Sequence, residues 1–269
     1  MTTAQLLEAG IDRHRIRRWV ADGRLQREHV GVYTLGHPDP SPQGTYLSAV
    51  LAAGGGARVS HGACAHLLAV VRGHAPSAEV TVPTTAHRKR PGIVIHRVRL
   101  LHPLDTATLD GIPITTVPRV LLDLAPSLES AELVRACHEA WVRHRVTLPY
   151  IEACIARNPG KPGAAKLRRA FGADVVLSVL EKAFLALLDV HGLPRPRTNI
   201  DRKGDKVDCY WVERDLTIEL VSFRFHATRE GFETDVARRR RSNHLAYSYG
   251  DVFERSDSTA AELALLLRR

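Results

Sequence analysis

The sequence predicts a mixed α/β (α+β) protein of 269 residues. Three observations predict it. Helix-spaced apolar residues are followed by two short strand patterns within residues 1–38, helix and strand patterns then alternate up to residue 157, and two alternating strands separated by a turn lie between Asp205 and His226. A hydrophobic content of 44 % and a charged content of 25 % are typical of an ordinary soluble globular protein.

Two segments rich in proline and glycine divide the chain. The first is HPDPSP at residues 37–42, and the second is RNPGKPGAAK at residues 157–166. Such segments favour linkers. We therefore predict three domains, at residues 1–38, 43–157 and 164–269, although the length alone predicts about two.

Composition limits the possible partners. The formal net charge is +9 and the isoelectric point is about 9.8, which favours a polyanion such as nucleic acid as the partner. A generally arginine-rich protein is the alternative.

Four cysteines without CxxC spacing indicate buried thiols in a reducing cytosol. The first residues contain no apolar leader and no apolar run is long enough to span a membrane, so we expect a cytoplasmic protein without a membrane partner.

The first 38 residues predict two helices and a pair of strands. Gly10 is expected to end the first helix, and Asp12 to cap a second helix that extends to about Asp22. The second helix has an apolar stripe of Ile16, Trp19 and Val20, and its other faces carry the predicted DNA-binding residues Arg13, His14, Arg17 and Arg18.

Two short strands, Leu25–Arg27 and Val30–Leu35, are expected to join around Glu28 and His29. This order of elements is the winged-helix geometry that places a recognition helix in the major groove of double-stranded DNA. The segment AQLLEAGIDRHRIRRWVADGRLQREHVGVYTL resembles the winged-helix domain of AbiE-type abortive-infection antitoxins. That resemblance implies repression of the protein's own operon and neutralisation of a nucleotidyltransferase-type toxin.

The middle region predicts an α/β module. Helices are expected at residues 43–53, 61–71, 119–124, 130–145, 149–156 and 164–171, and strands at 79–82, 93–99 and 111–117. RVSHGACAHLLAV and GIPITTVPRVLLDLA resemble the region that follows the winged helix in the same antitoxin-like proteins. The histidines here contain no H-x-x-x-H pair, so a zinc site would require convergence over long sequence distances. We expect His61 to form a hydrogen bond at a helix start.

The strongest chemical pattern is a pair of acids on two facing strands. Val207, Cys209 and Trp211 alternate with polar residues, as do Leu216, Ile218 and Leu220 after a turn. This period places Asp208 and Glu219 off the apolar face, where paired carboxylates favour a hard cation such as Mg²⁺. Two solvent-facing acids on an ordinary hairpin are the alternative.

Residues from about 177 to 269 resemble the Vsr-like nuclease domain, a member of the PD-(D/E)XK (restriction-endonuclease-like) class. The segments that carry the resemblance are VDCYW, LTIEL and FRFH, with SVLEKAFLALLDVHGLPRP before them and FETDVARRRR after them. The resemblance implies that Asp208 and Glu219 hold Mg²⁺ and that Glu181 is a third acid. It also places His226, Arg229 and Asp235 on the same side.

The sequence departs from this class where the chemistry matters. Val221 occupies the position of a second acid, and the lysine expected two residues after Glu219 is missing, so Lys206 is its nearest substitute. Lys206 or His226 would assist proton transfer. Glu181 has a competing structural role, because it follows Ser178 by three residues in a predicted capping box.

A second basic segment is predicted near the acids. Arg238 begins a run of four arginines on a helix predicted from Arg229 to about Leu245, and Arg224 precedes it. We expect Arg224, Arg229 and Arg238 to contact DNA phosphates; a solvated helix is the alternative.

Together these patterns predict a DNA-binding regulator with a C-terminal nuclease-fold domain whose site is degenerate. The alternatives are an active Mg²⁺-dependent DNA endonuclease and an antitoxin that binds a toxin enzyme.

Overall fold

The computed structural model describes residues 1–37, 41–83, 90–171, 173–202, 205–221 and 244–268. They form two compact units, Met1–Arg168 and Arg169–Arg269. Helices accompany sheets of two, five and four strands, which confirms the mixed α/β class. No helix among the described residues is both long and apolar enough to cross a membrane.

The first unit begins with the two predicted helices and the predicted strand pair. They are α1 (Thr3–Glu8), α2 (Arg13–Ala21), β1 (Leu25–His29) and β2 (Val32–Leu35). The two strands pair antiparallel, and Leu25 lies opposite Leu35. The predicted join at Glu28 and His29 was wrong, because both residues belong to β1 and the chain turns at Gly31, whose φ is +78°.

A small core holds these elements together. Leu6, Ile16 and Leu25 are its buried centre, and Ile11, Trp19, Val20 and Tyr33 pack around them. Asp12 caps α2, since its carboxylate accepts a hydrogen bond of 2.8 Å from the Arg15 amide. Apolar residues on one side of α2 therefore fix the direction in which its charged side faces.

The rest of the first unit is a five-stranded sheet with helices. Its elements are α3 (Pro42–Ala53), β3 (Arg58–Val59), α4 (His61–Leu67), β4 (Ala78–Pro83), β5 (Ile93–Val98), β6 (Thr106–Leu109), β7 (Ile112–Thr115), α5 (Val117–Leu124), α6 (Ser130–His144), α7 (Leu148–Arg157) and α8 (Ala164–Ala170). The strand order is β5-β4-β3-β7-β6. β4 pairs parallel with β5, and β3 pairs parallel with β7.

Three elements of this unit differ from the prediction. Strands β3 and β6 were not predicted. Helix α4 ends at Leu67, short of the predicted Val71, because Ala69 takes a left-handed conformation with φ +52°. The amides of Ala69 and Val70 then bond back to His66 and Ala65, which closes the helix end.

The second unit contains a four-stranded sheet. Its elements are α9 (Ala173–Val190), β8 (Arg197–Arg202), β9 (Asp205–Trp211), β10 (Leu216–Val221), β11 (His244–Ser248), α10 (Tyr249–Phe253) and α11 (Ser256–Arg268), and the strand order is β11-β10-β9-β8. β10 is antiparallel to β9 and parallel to β11. The core includes Leu180 and Phe184 of α9, which pack with Trp211 and Ile218 of the sheet.

Two predictions for this unit were wrong. Ser178 lies inside α9, five residues after its start, so it does not cap the helix. Residues 244 and 245 belong to β11 and do not end a helix. Strand β11 is followed directly by the short helix α10, because the side chains of Ser248 and Asp251 form a capping box.

Candidate functional site

The exposed side of α2 carries the predicted DNA-binding residues. Arg13, His14, Arg17 and Arg18 are all exposed, whereas Ile16 is 3 % exposed on the opposite side. In the described part of the chain, none of the three arginines forms an ion pair. Their guanidinium groups are therefore available to an anionic partner.

A fifth basic residue of α2 is held by a neighbour. The Arg15 guanidinium carbon lies 5.1 Å from the centre of the Trp19 ring, in cation–π geometry. Trp19 is partly buried against the core of the domain. Arg15 thus lies against Trp19 on the flank of the helix.

A buried charged network lies in the same unit. Arg119 of α5 is fully buried and donates to both oxygens of Asp123, at 3.1 and 3.0 Å, and to Asn158 Oδ1 at 2.9 Å. Arg157 donates to Asp105 Oδ1 at 2.9 and 2.6 Å. These bonds join α5, the turn before β6 and the end of α7. The network therefore has a structural role.

Three side chains that are distant in sequence meet beside this network. His96 Nε2 lies 2.8 Å from Glu79 Oε2, and the His61 and His96 rings stack with their centres 3.4 Å apart. Burial lowers the pKa of His61 to about 4, although the nearby Asp123 carboxylate favours the charged form. His61 begins α4, and its Nδ1 lies 3.0 Å from Ser60 Oγ as a hydrogen-bonding partner.

In the second unit, Asp208 and Glu219 are on the predicted side of the sheet. The apolar partners Cys209, Leu220 and Ile218 are buried in the core, whereas both acids are partly exposed. Ile218 pairs with Cys209, so Glu219 and Asp208 occupy the next opposed positions. Asp208 Oδ2 accepts a hydrogen bond of 2.7 Å from the Leu220 amide, which fixes the carboxylate at this point of the strand pair.

Sequence reasoning missed a residue beside Glu219. His244 of β11 lies with Nε2 3.6 Å from Glu219 Oε1 and Nδ1 2.9 Å from Thr217 Oγ1. The parallel pairing of β10 with β11 places Thr217 opposite His244. Because this pairing joins strands far apart in the chain, no local pattern indicated it.

The other predicted site residues fall into two groups. Glu181 lies on α9 and is partly exposed. Burial raises the pKa of the Cys209 thiol to about 12, and the nearby carboxylates of Asp208 and Glu181 add to this rise. Lys206 lies on β9, but its side chain is outside the described residues. Four further predicted residues lie wholly outside them: His226, Arg224, Arg229 and Arg238.

The described residues assemble one group with three possible metal ligands, and it is not the acidic pair. It consists of His61, Glu79 and His96, whose ligand atoms all lie within 4.8 Å of one another. Asp208 and Glu219 belong to no such group among the described residues. A magnesium site at the acidic pair stays a prediction.

Comparison with known families finds a similarity in the first part of the chain. Residues 2–36 match the family described as "Transcriptional regulator, AbiEi antitoxin". A comparison with curated proteins found no match. The AbiEi match covers α1, α2, β1 and β2, so it includes every predicted DNA-binding residue of the first domain. It ends before the acidic pair and gives no support to the resemblance of residues 177–269 to a nuclease domain.

Proposed function

We propose that the chain is a DNA-binding transcriptional regulator that reads double-stranded DNA with α2. The observation that carries the proposal is the exposed basic side of α2, directly opposite the small core, in a segment that matches the AbiEi family. Arginine suits this role because its planar guanidinium group donates two parallel hydrogen bonds to a guanine edge or a phosphate.

The surrounding structure supports recognition by this helix. α2 is nine residues long, is capped by Asp12, and is anchored through Ile16, so its charged side is presented on a fixed support. The β1–β2 pair packs against α3 of the same unit. A helix held from behind in this manner can enter the major groove while the strand pair lies next to the backbone.

The experiment compares Arg17→Ala and Arg18→Ala with the wild type on the promoter region of the protein's own gene. We expect each to lower affinity, and a residue that contacts phosphate to lower the salt slope of log K by roughly one unit. A residue that contacts a base would instead relax specificity, at about 1–3 kcal/mol. Fluorescence anisotropy over a salt series separates the two outcomes.

Arg99→Ala is the matched control, because Arg99 is an exposed arginine of the same unit and its loss changes the net charge equally. We expect it to bind DNA as the wild type does. Unchanged binding by both α2 variants would refute the recognition-helix assignment. An equal loss in Arg99→Ala would show that net charge, and not α2, determines binding.

A second candidate function is Mg²⁺-dependent DNA cleavage, favoured by the opposed positions of Asp208 and Glu219 on the same side of the sheet. These carboxylates would hold the ion, which when bound polarises a phosphate and activates water. We expect cleavage to be weak or lost because Val221 replaces an acid. A nicking assay with Mg²⁺ or Mn²⁺ tests this. Activity that vanishes in Glu219→Ala but persists in Glu213→Ala would overturn the degenerate-site hypothesis.

A third candidate is an antitoxin that binds a toxin enzyme, favoured by the description of the matched family. The expected partner is a nucleotidyltransferase-type toxin. A reading frame of that type immediately beside the gene would support it, and co-purification of the two products from one expression vector tests it. Recovery of the two proteins separately would contradict this role.

A further inference from the structure

Three metal-ligating side chains are brought together by the large sheet of the first unit. β4 and β5 pair in parallel with Thr81 opposite His96, so His96 lies diagonally across from Glu79 on the same side. The Ser60 amide bonds to the Glu79 carbonyl at 3.0 Å, which fixes the start of α4 next to β4. His61 therefore reaches the same position from a third element.

We propose that His61, Glu79 and His96 bind a Zn²⁺ ion. Two imidazoles and a carboxylate are a ligand set that zinc uses in proteins, with bond lengths of about 2.0–2.2 Å. Three protein ligands leave the fourth position of a tetrahedral ion for water or an oxygen-bearing ligand. The three ligand atoms already lie within 4.8 Å of one another.

Neighbouring residues orient the ligands. Thr81 Oγ1 donates to Ser60 Oγ at 2.8 Å, and this hydroxyl lies 3.0 Å from His61 Nδ1. A proton on Nδ1 donated to Ser60 leaves the Nε2 lone pair for the ion, the arrangement typical of metal-binding histidines. Ser60 and Thr81 are each fully buried, so this support is rigid.

The carboxylate has room at the site because residue 62 is glycine. A Cβ at Gly62 would lie 2.8 Å from Glu79 Oε1, closer than two such atoms can approach. Glu79 is thus seated directly against the beginning of α4. The position holds the Glu79 carboxylate beside the stacked histidine rings.

Binding requires one defined movement. The two rings are nearly parallel, with an interplanar angle of 11° and centres 3.4 Å apart. A histidine lone pair lies in the plane of its ring, so an ion shared by both rings requires them to open away from the parallel arrangement. The partly exposed position of all three side chains permits this rotation.

The test titrates Zn²⁺ into the metal-free full chain by calorimetry and measures bound metal by elemental analysis. We expect one ion per chain, and a loss of affinity of at least about 100-fold in His61→Gln, Glu79→Gln and His96→Gln. Changes to residues that only hydrogen-bond to metal ligands already cost about 10–100-fold. His66→Gln, on the same helix, is the control expected to bind as the wild type does, and Glu219→Ala, in the other unit, tests whether the ion sits at the acidic pair instead.

Co²⁺ substitution of the wild type provides a second measurement that needs no variant. We expect visible absorption bands of a four- or five-coordinate ion with nitrogen and oxygen ligands. A thiolate-to-cobalt charge-transfer band would overturn the assignment, as would absence of zinc binding in the wild type. Wild-type affinity in all three ligand variants, or loss of binding in Glu219→Ala alone, would also refute it.

Discussion

Replacement of Arg119 with methionine tests how much the buried network contributes to the stability of the first unit. Methionine retains most of the side-chain volume, so the main loss is the positive charge. Arg119, Asp105 and Asp123 have fully buried side chains. Removing one member of such an arrangement costs about 3–5 kcal/mol, because the remaining charge stays buried without its partner.

The structure favours the lower end of this range. Asp105 keeps Arg157, whose Nη2 lies 2.6 Å from Oδ1, and Asp123 keeps Lys161. Neither carboxylate is left without a cation. We therefore expect a loss of about 3 kcal/mol, which lowers the melting temperature by roughly 6–12 °C for a unit of this size.

Differential scanning calorimetry is the appropriate measurement, since it resolves the transitions of separate units. Arg168→Met is the matched control. Arg168 forms an equally short paired contact with Glu152, at 2.9, 3.0 and 2.9 Å, but the two side chains are 48 % and 42 % exposed. We expect no measurable shift there. Equal shifts in both variants, or none in Arg119→Met, would refute the argument that burial gives the network its importance.

Three other predictions concern the backbone, the small core and the thiols. Gly163→Ala should destabilise the chain more than Gly111→Ala in thermal unfolding. Both glycines have left-handed φ values, +90° at Gly163 and +81° at Gly111. Only at Gly163 would the new Cβ lie 2.9 Å from Ala125 and Pro126. Ile16→Ala should cost about 2–5 kcal/mol and abolish DNA binding without removing the five-stranded sheet, as measured by anisotropy and circular dichroism. The four buried thiols, whose pKa values burial raises, should react with Ellman's reagent only after denaturant is added; rapid labelling of the native chain at pH 8 would contradict this.

The spacing of apolar residues predicted the helices and strands that bury one side in a core. The alternation between Val207 and Leu220 was sufficient to place β9, the turn at Asp215 and β10, because every second side chain enters the core. The helix α2 was predicted for the same reason with a longer period. Strand β6 was missed because it is only four residues long and its two central residues are exposed at the edge of the sheet.

Such patterns did not predict contacts between residues that are distant in the sequence. His96 meets Glu79 through the register of two parallel strands, and His61 joins them through a hydrogen bond between Ser60 and Glu79. His244 reaches Glu219 through a parallel pairing as well. Parallel register depends on the packing of the whole sheet, so spacing in the sequence does not reveal it.

The shortness of β3 has a consequence for cooperativity. This strand contributes two residues, Arg58 and Val59, yet it lies at the centre of five strands. Within the described sheet, β3 alone connects the β4–β5 pair to the β6–β7 pair by backbone hydrogen bonds. Only Val59 is bridged on both edges. Amide hydrogen exchange should therefore show that the β4–β5 and β6–β7 pairs open at different free energies. A Zn²⁺ ion bound to Glu79 and His96 would slow exchange in the β4–β5 pair first.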